Sequence, residues 1–354
     1  MTNKKQDLDM VSVLRNDLIT VHTLHHLFLE ITLRCNEHCL HCGSSCGDVI
    51  STELTPLQYQ RFLENIKRDF GTDNLMLCIT GGEPLLRRDF FQIMSYVHEL
   101  GFSWGMTSNG TLIDDDIARN LKQVGMSTIS ISLDGMADTH DLLRQTPKAW
   151  ERAISGIESL RRVDGFYNIQ ITTVVTHKNI AQLDEVYNVI KSLGVDSWRV
   201  INVEPIGRSL LNPEFLLTAD DYRYLFSYIT EQRKKGNCVS YGCSHYLGVN
   251  FEKEVRDWYF MCSAGSSVAS IMANGDITAC LDIERRQEFI QGNILKDCFK
   301  DVWDNKFQVF RRDLSDSCES CRSCSHVEYC HGGSFHSWDF DNNRQLVCFK
   351  DILF

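Results

Sequence analysis

The sequence predicts an α/β fold in which six strand–helix units form a partial barrel, followed by a cysteine-rich domain. Short apolar runs alternate with longer amphipathic segments over the first two-thirds of the 354 residues. That alternation is typical of βα units built on a parallel sheet. It ends after residue 208, where cysteines become frequent. We therefore expect the last third of the chain to fold around metal ligands, because it has few long periodic segments.

Six apolar runs are the predicted strands: residues 26–33, 75–80, 103–107, 128–133, 168–175 and 197–203. Five segments between them carry apolar residues at helical spacing: residues 56–70, 88–100, 114–124, 147–162 and 180–193. Polar residues follow the first four strands directly. In parallel sheets the chemistry lies at the carboxyl ends of the strands, so we expect the functional site there.

The chain divides into four predicted parts. An N-terminal extension, 1–25, precedes a barrel that covers residues 26–208. Residues 209–255 form a bridging segment with a predicted helix at 218–235, and residues 256–354 form the cysteine-rich domain.

Composition excludes several classes of protein. A net charge of −11 argues against a nucleic-acid binder, which needs a basic face to neutralise phosphates. No apolar run approaches the roughly 20 residues of a membrane span, and the first residues lack the apolar core of a signal peptide. We therefore expect a cytoplasmic protein with neither membrane nor nucleic-acid contacts. Cytosolic thiols stay reduced, so the clustering of its 15 cysteines indicates metal binding.

The first cysteine cluster, Cys35, Cys39 and Cys42, follows the first strand with the spacing C-x3-C-x2-C. Thiolates bind iron–sulfur clusters, usually four per cluster, so three would leave one iron open to another ligand. Zinc is the alternative metal, although zinc sites favour paired C-x2-C units that close four-fold. Cys46 is a possible fourth ligand.

Ordered motifs at successive strand ends make the sequence resemble the radical S-adenosylmethionine (SAM) superfamily. Besides the cysteines these are Gly81-Gly82-Glu83-Pro84, Ser108-Asn109-Gly110 and Ser132-Leu133-Asp134-Gly135. The resemblance covers about residues 26–204 and implies a partial (β/α)6 TIM-type barrel. It also implies that a [4Fe-4S] cluster binds SAM at its open iron, where one-electron reduction yields a 5′-deoxyadenosyl radical.

The same resemblance assigns residues to SAM binding: Gly81, Gly82, Glu83, Ser108, Asn109, Ser132, Asp134 and Arg144. The two glycines would let backbone approach the ligand closely, and Glu83 would hold the methionyl ammonium. Ser132 and Asp134 are expected near the ribose hydroxyls or the carboxylate. Arg144 would bind that carboxylate bidentately, or it would form a surface ion pair. Arg208 would be a strand-end residue near the cofactor; the alternatives are a helix cap and an ion pair.

The C-terminal cysteines resemble the SPASM extension, a domain that binds two auxiliary [4Fe-4S] clusters. The matching residues are Cys262, Cys280, Cys321, Cys324, Cys330 and Cys348. The last four would complete an outer cluster. The remaining cysteine position of the family is Ser334 here, so the inner cluster lacks ligands that Cys318, Cys243 or Ser334 would supply. We expect two auxiliary clusters; a single one, or zinc at the C-x2-C pair, is the alternative.

Enzymes of the SPASM subgroup mostly modify peptides or proteins. The resemblance therefore implies hydrogen abstraction from a peptide or protein side chain, as in the maturation of peptide natural products. An electron donor such as flavodoxin or ferredoxin would be a partner. Because only about 25 residues precede the first strand, a separate peptide-recognition protein is a further expected partner. The alternatives are formylglycine formation as in sulfatase maturases, radical dehydrogenation or epimerisation of a small molecule, and a non-catalytic metal scaffold.

Three residues are candidates for acid–base or radical-quenching roles: Asp282, Cys243 and Tyr241. Sulfatase maturases place their proposed base directly after the second auxiliary cysteine, whereas Leu281 holds that place here and the acid is Asp282. In a strand, a shift of one residue would turn the carboxyl group to the other face. A thiol such as Cys243 could quench a substrate radical. The alternative for each is a structural role.

Overall fold

The computed structural model describes residues 2–47 and 51–354; Met1 of the predicted extension and residues 48–50 of the predicted barrel lie outside them. All six predicted strands are present: β1 (His26–Glu30), β2 (Met76–Thr80), β3 (Ser103–Ser108), β4 (Met126–Ser132), β5 (Asn168–Val175) and β6 (Ser197–Asn202). Each pairs in parallel with the next. The first strand ends earlier than predicted, because the chain leaves the sheet to form the loop that carries Cys35.

Helix α1 (Thr2–Val21) packs against the C-terminal region. The helices that follow pack on the outer face of these strands: α2 (Pro56–Phe70), α3 (Phe90–Glu99), α4 (Asp115–Gln123), α5 (Ala137–Arg144), α6 (Ala149–Arg162), α7 (Leu183–Leu193) and α8 (Ala219–Lys234). Helix α2 starts where its sequence predicts, since Thr55 forms a capping box with Gln58 and Pro56 occupies the first turn. Helices α1 and α5 were not predicted. The apolar residues Leu8 and Val11 of α1 pack against Tyr329 of the C-terminal domain, so a tertiary contact stabilises this mostly polar helix.

The sheet continues beyond the six predicted strands on both sides. Strand β7 (Val239–Tyr241) comes from the bridging segment and pairs in parallel with β6. Strand β8 (Val268–Ile271) comes from the cysteine-rich domain and pairs in parallel with β1. Strands β9 (Asp276–Thr278) and β10 (Gly292–Asn293) follow it in antiparallel pairing. The order β10-β9-β8-β1-β2-β3-β4-β5-β6-β7 leaves β7 at one edge, so the barrel is open.

Short elements make up the rest of the C-terminal region: α9 (Gly248–Phe251), α10 (Phe299–Asn305), α11 (Glu319–Arg322), α12 (Val327–Cys330), β11 (Trp338–Asp339) and β12 (Arg344–Gln345). Turns of 3₁₀ helix join them, among them Gly207–Leu211, Leu314–Ser317 and Phe335–Ser337. This region also has an aromatic core that the sequence analysis did not predict. Its centre is Trp303, whose ring lies 4.9 Å from that of Phe307.

The two faces of the barrel strands differ in chemistry. The face toward the helices is apolar and fully buried, as at Leu27, Trp104 and Ile131. The opposite face encloses the interior of the barrel and carries polar groups such as Thr172 and Arg199, which hydrogen-bond at 3.2 Å. Strand alternation produces this division. In the described part of the chain, each helix is too short or too polar to traverse a bilayer.

Candidate functional site

The loop after β1 brings Cys35, Cys39 and Cys42 together. Their thiols lie close enough to influence one another electrostatically. Burial raises the pKa of Cys35 to about 11 and that of Cys39 to about 12. A hydrogen bond with Cys46, by contrast, lowers the pKa of Cys42 to about 5. The three thiols become thiolates together when a cation balances their charge, so the donor set fits an iron–sulfur cluster. Cys46 lies beside Cys42 and its thiol contacts the carbonyl oxygen of Gly81 at 3.5 Å.

The two glycines after β2 allow close contact with this cysteine loop. The N–H of Gly82 donates to the carbonyl of Thr32 at 2.8 Å, and the N–H of Glu83 donates to that of Arg34 at 2.8 Å. A Cβ atom would lie 2.2 Å from the Thr32 oxygen at Gly81 and 2.1 Å from the Arg34 oxygen at Gly82. The close approach that the glycines allow in the structure is therefore to the backbone of the cysteine loop. Their predicted approach to SAM stays a prediction.

The carboxylate of Glu83 is hydrogen-bonded to residues at the end of β3. Its buried carboxylate accepts hydrogen bonds from the Ser108 hydroxyl at 2.9 and 3.0 Å, from the Asn109 N–H at 2.8 Å and from the Leu85 N–H at 3.2 Å. Burial raises the pKa of Glu83 to about 7. In the structure this carboxylate is therefore a positioning group for Ser108 and Asn109. Its contact with the methionyl ammonium stays a prediction.

Asn109 in turn holds the cysteine loop. Its Nδ2 donates to Oδ1 of Asn36 at 2.8 Å, and Nδ2 of Asn36 donates to the Thr111 hydroxyl at 2.8 Å. Asn36 directly follows Cys35 in the chain. The end of β3 thus fixes the first cysteine through two side-chain amides.

Arg144 lies in a buried ion pair beneath the cysteine loop. Its Nε and one terminal nitrogen donate to Oδ2 of Asp134 at 2.8 and 2.5 Å. The other terminal nitrogen lies 3.3 Å from Oε2 of Glu37 and 3.6 Å from Sγ of Cys39. The side chain is buried, so the alternative of a surface ion pair is wrong. Binding of the SAM carboxylate by Arg144 stays a prediction. Its contact with Cys39 makes it a positioning residue for the cysteine loop.

Asp134 has both carboxylate oxygens occupied. Oδ1 accepts the N–H of Val174 at 2.8 Å, and Oδ2 contacts both Arg144 and Nε2 of His41 at 3.2 Å. Burial alone would raise the pKa of Asp134, but Arg144 and His41 outweigh it and hold the pKa well below its usual range. These internal bonds fix the carboxylate at the end of β4. A contact with the ribose hydroxyls or the carboxylate of SAM stays a prediction. Ser132, half-buried at the end of β4, lies on the interior face in register with Thr172.

Arg208 joins the end of the barrel to the cysteine loop. Its Nε donates to the carbonyl of Cys39 at 2.8 Å, one terminal nitrogen to that of Cys46 at 2.9 Å, and its backbone N–H to that of Cys42 at 3.0 Å. The preceding Gly207 has φ +58, and a Cβ there would lie 2.3 Å from the carbonyl oxygen of Gly43. Arg208 therefore contacts the loop itself, and it does not cap a helix.

We expect Arg208→Lys to weaken iron retention at the cysteine loop. A lysine ammonium cannot reproduce the planar fork that reaches two carbonyls at once. Iron bound at this loop should fall by half or more on gel filtration, with 5′-deoxyadenosine formation reduced at least about tenfold. Arg223→Lys, on the exposed face of α8, is the matched control and should behave as the wild type. Equal iron retention in both variants would contradict this role.

Four C-terminal cysteines gather as the outer group: Cys321, Cys324, Cys330 and Cys348 interact electrostatically with one another. Burial raises the pKa of Cys321 and of Cys330 to about 12. The side-chain amide of Gln345 donates to Sγ of Cys330 at 3.4 Å. Four thiols with an N–H donor fit a complete iron–sulfur site. Cys318 is buried, and its thiol contacts that of Cys321, which places it with this group.

Cys262 and Cys280 form a separate, inner pair. The Cys262 thiol accepts a hydrogen bond from the backbone of Phe335, directly after Ser334. The Ser334 hydroxyl is buried and has no hydrogen-bond partner among the described residues. Of the three residues considered as further ligands, Ser334 is therefore the one placed beside the pair, whereas Cys243 interacts with Glu204 and Arg199.

The three catalytic candidates occupy different environments. Tyr241 is corrected to a core residue: its ring packs 4.9 Å from that of Phe226, because the pairing of β7 with β6 turns it toward α8. Asp282 is exposed and lies in a turn after β9, so no strand alternation governs its direction. It is within electrostatic range of Arg199, as is Cys243. Burial raises the pKa of Cys243 well above its usual range, so its thiol keeps its hydrogen.

Family models and known proteins match this architecture. A model of the radical SAM superfamily matches residues 29–190, and a SPASM model, described as an iron–sulfur cluster-binding domain, matches residues 262–325. Mycofactocin maturase MftC of Mycobacterium tuberculosis is 31% identical over 314 residues, which are 86% of this chain and 76% of MftC. The chain belongs to the radical SAM superfamily. This radical SAM enzyme is also 29% identical over 322 residues to the AdoMet-dependent heme synthase of Methanosarcina barkeri, covering 86% of this chain and 89% of the synthase.

Solved structures confirm the predicted fold class. Streptococcus suis SuiB bound to its precursor peptide SuiA superposes with a TM-score of 0.70 at 19% identity, over 90% of this chain and 74% of SuiB. The structure of anSMEcpe with bound AdoMet gives a TM-score of 0.69 at 21% identity, over 89% of this chain and 90% of that chain. As a radical SAM enzyme with a SPASM domain, the protein has AdoMet (SAM) and iron–sulfur clusters as cofactors.

Proposed function

We propose that this radical SAM enzyme abstracts a hydrogen atom from a peptide or protein side chain inside the open barrel. The observation that carries the proposal is the polar interior face of the barrel strands, here called the chamber, to which both parts of the chain contribute side chains. Arg199 on β6 and Cys78 on β2 line its barrel side, and Asp282 reaches toward Arg199 from the SPASM domain. The peptide-bound structure of SuiB supports a peptide as the occupant of such a chamber.

Residues at one end of this chamber would bind the cluster and SAM, and residues at the other end would orient the substrate. Cys35, Cys39 and Cys42 would hold the cluster that, together with SAM, supplies the abstracting 5′-deoxyadenosyl radical. The bonds from Glu83, Arg144 and Arg208 described above keep the loop of these cysteines in place. Preorganisation of this kind is needed because small displacements of reacting groups reduce rates strongly.

Arg199 would orient the substrate. Its Nε donates to Thr172, whose hydroxyl is 2.6 Å from that of Ser130, so the side chain is fixed on the interior face. Burial lowers the pKa of Arg199, and the guanidinium has no ion pair within 4 Å in the described part of the chain. A carboxylate or peptide carbonyl of the substrate would satisfy it. Cys243, as a neutral thiol near this cation, would return a hydrogen atom to a substrate radical.

The proposed reaction requires partner proteins and a reducing compartment. One electron must reach the cluster for each SAM cleaved, so a flavodoxin or ferredoxin would act as donor. A separate peptide-recognition protein would deliver the substrate. The cysteines are all free thiols in the described residues, which supports a reducing, cytoplasmic environment.

A tetrapyrrole is the second candidate substrate. The observation that favours it is the match to the M. barkeri AdoMet-dependent heme synthase, which extends over 89% of that relative. Hemin titration distinguishes this candidate, because an iron porphyrin that binds in the barrel shifts its Soret absorption. A shift that Arg199→Met removes would support the tetrapyrrole.

The peptide proposal predicts deuterium transfer into 5′-deoxyadenosine. We expect reconstituted enzyme, dithionite and SAM to yield singly deuterated 5′-deoxyadenosine when short peptides encoded beside the gene are supplied with perdeuterated side chains. Arg199→Met should raise the substrate KM at least about tenfold, since losing a charge-assisted hydrogen bond costs about 1.5–3 kcal/mol. Arg161→Met, an exposed residue of α6, is the control. Deuterium transfer from labelled hemin, and from none of the peptides, would contradict the proposal.

A further inference from the structure

We propose that Glu204, His245 and His336 form a binding site for one divalent transition-metal ion, separate from the iron–sulfur sites. Their ligand atoms all lie within 4.8 Å of one another. Three segments supply them: Glu204 follows β6, His245 follows β7, and His336 lies in the turn Phe335–Ser337 of the SPASM domain. The site is therefore built where the barrel meets that domain.

An ion pair between Glu204 and His245 does not account for every polar atom of this three-residue group. Nε2 of His245 binds Oε1 of Glu204, and these side chains are 4% and 10% exposed. The second carboxylate oxygen, Oε2, is buried without a hydrogen-bond partner among the described residues. The ring of His336 lies 5.9 Å from that of His245, at 66°. A buried acceptor without a donor costs free energy, which a bound cation would offset.

Neighbouring groups fix the carboxylate and the first imidazole. Nδ2 of Asn202 donates to Oε1 of Glu204 at 2.8 Å, and the hydroxyl of Tyr241 donates to Oδ1 of Asn202. Arg256 donates to the backbone carbonyl of His245 at 2.5 Å. Metal ligands in proteins are commonly oriented by such outer hydrogen bonds. This gives Tyr241, buried away from the barrel interior, a place in the supporting network.

The donor set indicates the class of ion. Two imidazoles and one carboxylate suit Zn²⁺, Fe²⁺, Co²⁺ or Mn²⁺, and they leave coordination positions open. A divalent ion with a single carboxylate ligand carries a net positive charge, which Asp282, within electrostatic range of His336, would partly balance. No cysteine belongs to the three-ligand set, which separates this site chemically from the clusters.

Zinc is the probe, since it is silent in the iron assay. We expect full-length enzyme with its clusters reconstituted, given excess ZnSO₄ and desalted, to retain about one zinc per chain with unchanged iron. Zinc-edge X-ray absorption should show nitrogen and oxygen at about 2.0–2.1 Å and no sulfur near 2.3 Å. Glu204→Gln and His336→Ala should each reduce the retained zinc at least about tenfold.

The matched control is His177→Ala, which removes an exposed histidine paired with Asp221 at 2.7 Å. It should retain zinc like the wild type. Iron content and far-ultraviolet circular dichroism, unchanged in Glu204→Gln, would show that the near-isosteric variant is folded. Sulfur ligation, zinc that persists in Glu204→Gln and His336→Ala, or no zinc in the fully reconstituted wild type would each overturn the proposal. None of these results bears on SAM cleavage, so the proposed function stands or falls separately.

Discussion

We expect replacement of Cys35, Cys39 and Cys42 together by Ala to abolish the formation of 5′-deoxyadenosine from SAM and to lower bound iron by about four per chain. All three thiols belong to one loop. Among the described residues Cys46 is the cysteine beside this loop, and one thiol cannot supply the three ligands that the variant lacks. Product is measured by liquid chromatography and iron by a colorimetric assay on anaerobically reconstituted protein.

The number of irons that remain per chain in this triple variant gives the number of auxiliary clusters. About four irons correspond to the outer group alone, and about eight add the inner pair with Ser334. The control replaces Cys238 and Cys298 by Ala, because both are exposed and belong to neither group. That variant should keep full product formation. Product in the triple variant, or no remaining iron, would contradict the assignment of the cysteines to separate sites.

We expect Arg144→Met to destabilise the folded protein by about 3–5 kcal/mol. The substitution leaves Asp134 and Glu37 buried beside each other without their shared cation, and breaking a buried ion pair in this way costs about that much. We expect a fall of about 10 °C in the thermal midpoint, measured by circular dichroism on reconstituted protein at equal cluster content.

Arg161→Met is the control for this prediction. Arg161 forms a 3.7 Å ion pair with Asp196, and both side chains are more than 40% exposed. Exposed pairs contribute about 0–1 kcal/mol, so its midpoint should hardly move. Adding Asp134→Asn to Arg144→Met should recover part of the loss, since it removes one of the unpaired charges. Equal shifts for the two arginine variants would contradict a special role for the buried pair.

Much of the candidate site could be predicted because its signals are local. Cys35, Cys39 and Cys42 lie within one loop, so their spacing alone determines that three thiols can meet. The glycines after β2 were also recognised, but their partner was not, because the carbonyls of Thr32 and Arg34 are about 50 residues away. Arg144 shows the same limit: its contact with Glu37 spans 107 residues.

The residues that sequence reasoning missed carry weaker signals. Glu204 directly follows β6. Position after a strand was the criterion that selected the other candidate site residues, so the same criterion could have identified Glu204. His336 has no local signal, because it reaches the barrel only through the folding of the SPASM domain against it. Helix α1 is similar: few apolar residues mark it, and its partner Tyr329 is more than 300 residues away.

Periodicity in the sequence predicted the βα barrel, and the resemblance of its cysteine motifs to the radical SAM and SPASM families implied the iron–sulfur clusters. Strand and helix periodicities, and the spacing of ligands within one loop, are properties of neighbouring residues, and elementary geometry converts them into elements and sites. The tertiary structure alone decided which buried charges pair, how β7 and β8 extend the sheet, and that Glu204, His245 and His336 meet. Those outcomes depend on contacts between residues far apart in the chain. Such contacts form only when burial of the whole core brings the segments together, so no local pattern encodes them.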